Sequence, residues 1–251
     1  MDDRLSLVKL GKAHAGITKK ILGNFTPKEN PLDLLASLHP LFSTLKAIGL
    51  EPQGLSNFNI MMAQHGSEVV ITRGEAGGRI YLGDAIIFKG PGITTYFPGG
   101  CPTVCFRDDS ANLTGIIHAG WRSISQLIIP KFIADWVCES GTARNTKITL
   151  LPNIGPCCLS YRQEAFRKEI LPELERSSFL RPEEYAKPGG QGVRLNLSRI
   201  IQATLGNLGY YIPPFPEDCI CCSGDYHCYR CDDQNGQKYR NAAFVLAPPQ
   251  L

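Results

Sequence analysis

The sequence has neither a strong excess of charge nor a long apolar run. Lysine and arginine number 26 against 23 aspartate and glutamate residues, which leaves a net charge of +3. Because positive and negative charges nearly cancel, the sequence gives no electrostatic basis for binding nucleic acid or an anionic membrane. No uncharged apolar run reaches the roughly 18 residues that would span a bilayer, and the acidic start at Met1-Asp2-Asp3-Arg4 is unlike a signal peptide. We therefore expect no nucleic-acid or membrane partner.

Histidine is also scarce, with 5 residues in 251. A multicopper oxidase holds its oxygen-reducing copper cluster with paired His-x-His ligands. The histidines of this chain all stand singly, at His14, His39, His65, His118 and His227. The sequence therefore excludes multicopper oxidase chemistry.

Cysteine, by contrast, is abundant. Ten cysteines without a secretory signal favour a cytoplasmic, reducing location, where thiols pack, catalyse or bind metal. Two Cys-x-x-Cys pairs, Cys219/Cys222 and Cys228/Cys231, are typical of zinc sites, but they are separated by only five residues. That spacing is short for convergence on one tetrahedral ion. A second structural zinc and an oxidised pair or disulfide both stay open.

The composition predicts one α/β domain in which a mixed sheet system is flanked by helices. Hydrophobic residues make up 43% of the chain, and 25 glycines with 18 prolines favour many short elements joined by turns. Residues 1–30 are weakly patterned and are expected to be a lead-in or an edge strand, and 31–251 form the domain. No strand is followed by Gly-x-Gly-x-x-Gly or a P-loop.

Hydrophobic periodicity predicts the order of the elements. Short apolar strands are expected at 58–64, 68–72, 84–88, 93–97, 103–106, 113–117, 147–151 and 242–247. Helices are expected from Asn30-Pro31 to Gly49, at 123–139 with a kink at Pro130, at 162–170 and at 197–208. A loop rich in proline and glycine is expected at 181–192.

Three predicted strands end in a metal-binding type of side chain beside glycine. These residues are His65, Cys101 and His118, separated by 36 and 17 residues. Zinc accepts two histidines and a cysteine and keeps a fourth position for water, which then ionises near neutral pH. Two other chemistries fit the same residues. Cys101 with His118 is also a possible thiolate–imidazole hydrolase pair, and two histidines with a cysteine also hold a single copper.

A series of longer motifs surrounds these three residues. In order they are Gln-His-Gly-x-x-Val (64–69), Asp84-Ala85, Cys-Pro-x-Val (101–104), His-Ala-Gly-Trp-Arg (118–122), Ile-Gly-Pro-Cys-Cys (154–158) and Tyr-Arg-x-Asp…Arg-Asn-Ala-Ala (229–243). Together they resemble the YfiH-like family, long labelled multicopper polyphenol oxidases or laccase-domain proteins. The resemblance runs from about 55 to 247.

The resemblance implies a single-domain mixed α/β/β/α sandwich, similar to the catalytic domains of cytotoxic necrotizing factors. It implies one zinc per chain on His65, Cys101 and His118, with copper the less favoured metal. The implied activity is phosphorolysis of adenosine, inosine, guanosine or methylthioadenosine, together with deamination of adenosine. The partners would then be a purine nucleoside and phosphate. Some relatives are tied instead to editing of peptidoglycan precursors.

Four further residues are candidates for the site. Arg122 is expected to clamp an anion, because a guanidinium meets phosphate in a bidentate manner. Arg230 and Arg240 are candidates for the same task, although each also suits an ordinary surface ion pair. Asp84 is a candidate general base or orienting partner of a ligand histidine. It suits a turn before a strand equally well.

The chain also departs from the family pattern around the expected metal. Gly100 stands where an aspartate is usual, Ser123 replaces a glycine, and Cys231 replaces an arginine. These departures favour one alternative to the nucleoside enzyme, a zinc-binding protein of the same fold with weakened catalysis. A cysteine hydrolase or a peptidoglycan-precursor editing enzyme, using Cys101 and His118, is the other alternative.

Overall fold

The structure is a computed structural model that describes residues 3–25, 33, 36–50, 58–73, 78–141, 145–190, 192–213, 219–232 and 239–248. Its strands are β1 Leu5–Leu10, β2 Ala13–Thr18, β3 Phe58–Met62, β4 Val69–Arg73, β5 Arg79–Leu82, β6 Ala85–Lys89, β7 Gly92–Tyr96, β8 Thr103–Asp108, β9 Leu113–His118, β10 Thr146–Leu150, β11 Ser160–Arg162, β12 Ala186–Gly189, β13 Gly192–Leu195 and β14 Ala243–Ala247.

Helices account for most of the remaining described elements. They are α1 His39–Ala47, α2 Trp121–Ser125, α3 Ile128–Ser140, α4 Gln163–Ala165, α5 Leu171–Ser177, α6 Pro182–Tyr185, α7 Leu197–Asn207, α8 Ile220–Ser223 and α9 Tyr229–Asp232. A 3₁₀ turn covers Lys20–Leu22, and a π turn at Phe166–Ile170 joins α4 to α5. Among the described residues, no helix is both long enough and apolar enough to cross a membrane.

Two mixed sheets form the centre of the fold. One has the strand order β1-β2-β14-β7-β3-β5 and the other β10-β8-β9-β6-β4, with a smaller sheet β11-β13-β12 at the side. Strand β14 shows the layering, because its alternate residues enter different cores. Ala243 and Val245 belong to the core that contains the second sheet, while Phe244 and Leu246 pack with α1.

Helix α3 covers the outer face of the second sheet. Phe132 and Trp136 of α3 stack at 5.6 Å and pack against Phe106 of β8. On the opposite side, Leu41 and Leu45 of α1 lie in the core of the first sheet. The layers are therefore helix, sheet, sheet, helix, and the predicted α/β/β/α sandwich is confirmed.

The N-terminal lead-in contains a β-hairpin. Strand β1 lies at the edge of the first sheet, as the edge-strand alternative expected, but β2 lies inside the sheet and pairs with β14. The hairpin was hard to see in the sequence because β2 buries small residues such as Ala13 and Ala15 rather than large apolar ones. The expected boundary at residue 30, and the start of the helix at Asn30-Pro31, lie outside the described residues.

The helix predicted at 123–139 is interrupted at a different residue from the expected one. Leu127 has a φ of 65°, a left-handed conformation that separates α2 from α3. The kink expected at Pro130 is therefore wrong in position. Pro130 sits in the first turn of α3. Backbone N–H groups there have no carbonyl partner within the helix, so the absence of an N–H in proline costs no hydrogen bond.

The predicted loop at 181–192 is also wrong. It contains α6, β12 and the start of β13, and the two strands form the smaller sheet with β11. Proline and glycine suggested a loop, but Pro182 opens a helix, and Gly192 lies so close to Tyr161 that a side chain would not fit. Strand β5 was not anticipated either.

The cysteines near the C-terminus separate into distinct groups. Cys221 and Cys231 form a disulfide, as the oxidised-pair alternative allowed. Cys228 is buried, while Cys219 and Cys222 lie beside two cysteines of another segment. The two Cys-x-x-Cys pairs therefore do not converge on one ion.

Candidate active site

A cavity of about 770 Å³ opens at one end of the two sheets. His65, Cys101 and His118 all contribute to its wall, together with Arg122, Arg230 and Arg240. Ligand cavities commonly have volumes of about 300–1,000 Å³. The structure therefore brings every residue of the candidate site except Asp84 to the surface of one cavity.

Pairing between β8 and β9 explains the 17-residue spacing of Cys101 and His118. The two strands are antiparallel, and Thr103 lies opposite His118. The backbone N–H of Ala119 also donates to the carbonyl of Pro102 at 2.9 Å. Because a hairpin returns the chain to its starting point, Cys101 before β8 and His118 at the end of β9 become neighbours.

Asp84 lies behind the cavity wall, fully buried. Its carboxylate accepts the backbone N–H of His65 at 2.9 Å and that of Gly66 at 2.7 Å. It also accepts from His118 Nδ1 at 2.8 Å. A single carboxylate thus fixes the loop that carries one histidine and the ring of the other, which is the arrangement expected of an orienting partner rather than of a base facing substrate.

The electrostatics of Asp84 agree with that arrangement. Burial opposes ionisation of the carboxyl group, but the hydrogen bonds from His118, Gly66 and His65 outweigh it and hold the pKa of Asp84 below its usual value. A carboxyl group that ionises more readily than usual favours a proton on His118 Nδ1. With Nδ1 on Asp84, the Nε2 atom of His118 is the one available to Cys101 and the cavity.

Cys101 and His118 strengthen each other's charged forms. Burial opposes ionisation of the Cys101 thiol, but its hydrogen bond with His118 and the positive charges of Arg240 and Arg230 bring its pKa below the ordinary value. Burial likewise opposes protonation of His118, whereas hydrogen bonds to Asp84 and Cys101 raise its pKa to about 9. The pair therefore favours a thiolate, which is the form of cysteine that attacks carbon or binds metal.

His65 sits on a strained turn just after β3. Its φ of 58° is in the left-handed region, which is uncommon for a residue with a side chain. Its ring meets that of His118 edge to face, with centroids 5.0 Å apart. Burial, followed by the positive charge of His118, lowers the pKa of His65, so the neutral imidazole that a metal requires is the favoured form.

The donor set and the free space beside it fit a zinc ion. Two imidazoles and a thiolate are zinc ligands, and one histidine already has a carboxylate on its other nitrogen. A side-chain carbon placed on Gly120 would lie 3.0 Å from His118 Nε2 and 3.4 Å from Cys101 Sγ. Glycine therefore leaves open the space between two of the candidate ligands. Among the described residues, the ligand atoms of His65, Cys101 and His118 do not all lie within 4.8 Å of one another. The His65 ring would therefore have to move closer to the other two ligands to bind the same ion.

Replacing Gly120 with alanine tests this space. The φ of −66° and ψ of 159° suit any residue, so Gly120→Ala should fold and lose about 1 kcal/mol as a poorer helix cap. We expect zinc affinity to fall by about 10–100-fold, as for other disturbed metal shells. Titration with zinc, monitored by calorimetry, measures the change. Gly206→Ala is the matched control, because a side-chain carbon there meets nothing within 4 Å. Equal zinc affinity in both variants would contradict the site.

Three arginines line the cavity without a carboxylate partner among the described residues. Arg122 lies over Trp121 at 4.5 Å, and Arg230 lies over Tyr161 at 4.4 Å. The Arg240 side chain approaches Gly99 so closely that a side-chain carbon there would come within 2.8 Å of Nη1. Arg240 lies over Tyr229 at 5.2 Å. Aromatic rings thus hold all three guanidinium groups in place, and the side chains of Arg230 and Arg240 also donate hydrogen bonds to the carbonyls of Ser160 and Tyr239.

Tyrosines in the cavity were missed by sequence reasoning. Tyr161 and Tyr229 line the wall beside the arginines, and Tyr96 is buried with its ring 5.6 Å from that of His118. The Tyr96 hydroxyl accepts a hydrogen bond from Thr103 at 3.0 Å. Only Tyr96 offered a signal in the sequence, because it ends an apolar strand just before the Gly99-Gly100-Cys101 segment.

The departures from the family pattern have local explanations. Ser123 donates its hydroxyl to Asp84 Oδ1 at 3.2 Å, adding a hydrogen bond that glycine does not offer. Gly100 has a φ of 130°, which glycine adopts without strain. A side-chain carbon at Gly100 would also lie 3.5 Å from Cys228 Sγ. Cys231 is held in the disulfide with Cys221.

Comparison with known proteins gives one family match. Residues 43–247 match the family model described as multi-copper polyphenol oxidoreductase laccase. The chain is also 28% identical over 134 residues to a purine nucleoside phosphorylase of Clostridium acetobutylicum. That similarity spans 53% of this chain and 53% of the relative, so it covers about half of each protein.

Solved structures share the fold at low sequence identity. The hypothetical protein YfiH of Bacillus licheniformis has a TM-score of 0.79 and 16% identity, covering 98% of this chain and 97% of its own. YlmD of Geobacillus stearothermophilus has a TM-score of 0.72 and 19% identity, covering 95% and 93% respectively. The Neisseria meningitidis protein NMB0706 has a TM-score of 0.69 at 16% identity, with 98% and 99% covered.

Proposed function

Because this chain belongs to the family described as multi-copper polyphenol oxidoreductase laccase, whose solved relatives have a YfiH-type fold, we propose that its cavity is a zinc-dependent purine nucleoside site. The reactions are phosphorolysis of adenosine, inosine, guanosine or methylthioadenosine, and deamination of adenosine. The observation that carries this proposal is the meeting of two histidines and a cysteine in one cavity with three arginines that pair with no carboxylate among the described residues. The part-length similarity to a purine nucleoside phosphorylase supports the same substrate class.

The metal in this proposal is zinc rather than a copper cluster. The family description names several coppers, but the chain has 5 histidines and no His-x-His pair. His65, Cys101 and His118 would hold one zinc ion, which supplies Lewis-acid polarisation of an oxygen bound beside the substrate. Asp84 keeps Nδ1 of His118 protonated and the ring oriented, since their 2.8 Å contact is fully buried.

The arginines bind the anionic substrate. Phosphate carries its charge on oxygen atoms that a guanidinium contacts in pairs. Arg122 lies in the first turn of α2, just after β9 ends at His118, and Arg230 and Arg240 line the same cavity from the C-terminal segment. The three groups orient phosphate towards the anomeric carbon of the ribose and stabilise the charge that it carries during transfer.

Aromatic rings next to the arginines bind the purine. Trp121, Tyr161 and Tyr229 all line the cavity. A purine stacks on such rings with a gain of about 1–3 kcal/mol per base. We assign the nucleoside base to this side of the cavity and the reacting carbon to the side of His65 and Cys101.

A cysteine hydrolase is the second candidate, favoured by the chain of contacts from Asp84 through His118 to Cys101. Asp84 binds Nδ1 of His118 at 2.8 Å, and the thiol of Cys101 shares a hydrogen bond with the same ring. This is the order of groups in a thiol-based catalytic triad, which suits hydrolysis in precursor editing. Such an enzyme keeps its reactive thiolate after metal removal, whereas a zinc enzyme loses its turnover.

A chromatographic time course of adenosine tests the nucleoside proposal. We expect adenine to appear only when phosphate is present, and inosine, followed by hypoxanthine, where deamination occurs. Chelation of the purified full-length chain should abolish product formation, and added zinc should restore it. Cys138 is exposed, so the Cys138→Ser variant is the control for nonspecific effects of losing a thiol away from the cavity.

The opposite outcomes are equally defined. Absence of any purine product from the zinc-loaded chain would overturn the nucleoside proposal and leave the binding-protein alternative. The hydrolase would be established instead by two results together. Chelation would leave hydrolytic turnover unaffected, and a thiol alkylator would irreversibly inactivate the chelated chain.

A further inference from the structure

We propose a second metal site, separate from the cavity, in which Cys157, Cys158, Cys219 and Cys222 hold one zinc ion. Their four sulfur atoms all lie within 4.8 Å of one another. The Cys157 and Cys222 sulfurs are 3.5 Å apart, and those of Cys158 and Cys222 are 3.3 Å apart. Four thiolates around zinc at about 2.3 Å place neighbouring sulfurs roughly 3.8 Å apart. The cluster is therefore close to the size of a tetrahedral sulfur site.

The fold brings these cysteines together across a large sequence separation. Cys157 and Cys158 lie on the loop that follows β10, and Cys219 and Cys222 lie one turn apart at α8. An isolated parallel bridge joins Asn153 to Cys219. The backbone N–H of Ile220 donates to the carbonyl of Asn153 at 3.2 Å. Backbone hydrogen bonds thus set the position of both cysteine pairs independently of any ion.

The backbone around Cys219 is arranged for a thiolate. The N–H of Gly155 donates to Cys219 Sγ at 3.1 Å. A side-chain carbon at Gly155 would lie 3.1 Å from Cys219 Cβ and 3.4 Å from Cys157 Sγ, so glycine permits the two segments to approach. Backbone donors that point at a sulfur stabilise its negative charge and orient it, as partners outside a metal's direct ligands do.

The neighbouring cysteines do not compete for this ion. Cys158, Cys221 and Cys231 form another convergent group, but Cys221 and Cys231 are bonded to each other and supply no thiolate. Cys228 points elsewhere, towards Gly100. Among the described residues, Cys157, Cys158, Cys219 and Cys222 are therefore the set that offers four thiol ligands, and a closed sulfur set of this kind is structural rather than catalytic.

The site explains how the C-terminal segment is held against the cavity. Cys219 and Cys222 precede Tyr229 and Arg230, which line the cavity wall. The N–H of Tyr229 donates to the carbonyl of Gly99 at 2.7 Å. An ion that links the loop after β10 to α8 anchors this segment at its start. The total would then be two zinc ions per chain rather than the one that the family resemblance implies.

Metal stoichiometry of the full-length chain tests the site. The chain is freed of metal under inert gas without added reductant, so that the Cys221–Cys231 disulfide stays intact. It is then loaded with zinc and passed through a desalting column before elemental analysis. We expect about two zinc ions per chain in the natural protein and in Cys138→Ser, an exposed cysteine outside the cluster. The double variant Cys157→Ser/Cys222→Ser should retain about one. Cys101→Ala should lose the other ion, so that failure of the cavity site and failure of the cluster are distinguishable.

Cobalt provides a second, spectroscopic readout of the same site. Addition of cobalt alone to the metal-free natural chain, with its disulfide intact, should produce the strong sulfur-to-metal charge-transfer absorption of a thiolate-rich tetrahedral site. The absorption should persist in Cys101→Ala and fall at least several-fold in Cys157→Ser/Cys222→Ser. Equal zinc content in the double variant and the natural chain, or charge-transfer absorption that Cys101→Ala removes entirely, would overturn the proposal.

Discussion

Cys101→Ala should lose zinc from the cavity and lower nucleoside turnover by roughly 10³–10⁶-fold, the range found when a key electrostatic group or a nucleophile is removed. The thiolate of Cys101 is stabilised by His118 and by the charges of Arg240 and Arg230. No other thiol lines the cavity among the described residues. Alanine is small enough to leave the fold intact. Steady-state kinetics and elemental analysis on one preparation measure both losses.

Comparison with His118→Ala separates a metal ligand from a nucleophile. If Cys101 acts as a ligand, both variants lose zinc and turnover together. If Cys101 acts as a nucleophile, the alanine variant keeps its metal content but loses all reaction with a thiol alkylator at the cavity. Full zinc content with unchanged turnover in Cys101→Ala would remove this residue from the mechanism altogether.

Asp84→Asn should have the next largest effect. The carboxylate accepts from His118 Nδ1 at 2.8 Å and from the N–H groups of His65 and Gly66. An asparagine amide has one acceptor oxygen and a donor NH₂ group, so it cannot accept hydrogen bonds from all of these donors. The His118 ring then loses its fixed tautomer. In a zinc enzyme we expect metal affinity and turnover to fall by about 10–100-fold. In a thiol hydrolase the expected loss is closer to 10⁴-fold, as in hydrolase triads.

Asp109→Asn is the matched control for that substitution. Asp109 also accepts a backbone N–H, that of Lys12 at 3.0 Å, and pairs with Arg107 at 2.7 Å. It does not line the cavity. Asp109→Asn should therefore lower the free energy of unfolding without altering zinc affinity. A zinc affinity in Asp84→Asn equal to that of the control would show that Asp84 supports the fold alone.

Sequence periodicity predicted the large elements well because their apolar residues recur at regular intervals. Strands β8 and β9 are buried along their whole lengths and were both anticipated. Helix α7 was placed within one residue of its observed end. Elements with small or polar residues were missed instead. Strand β5 is mostly exposed, and β2 buries alanines, so neither produces a strong apolar pattern.

The candidate site was predictable as a set of residues but not as an arrangement. His65, Cys101 and His118 each stand beside glycine at a strand end, which made them visible in the sequence. The role of Asp84 was left open between a base, an orienting partner and a turn, and its burial behind His118 favours the orienting role. The tyrosines were invisible because aromatic residues at strand ends usually serve in packing.

The sequence by itself determined the fold class, the exclusion of a multicopper site and the residues that resemble a zinc centre. Those properties depend on residue types and on local order along the chain. The tertiary structure alone decided which cysteines meet, since Cys157 and Cys158 come from one loop and Cys219 and Cys222 from a helix far along the chain. It also decided that Asp84 faces His118 and that three arginines share one cavity. Such contacts arise from strand register and loop closure, which connect residues too distant for any local pattern to record.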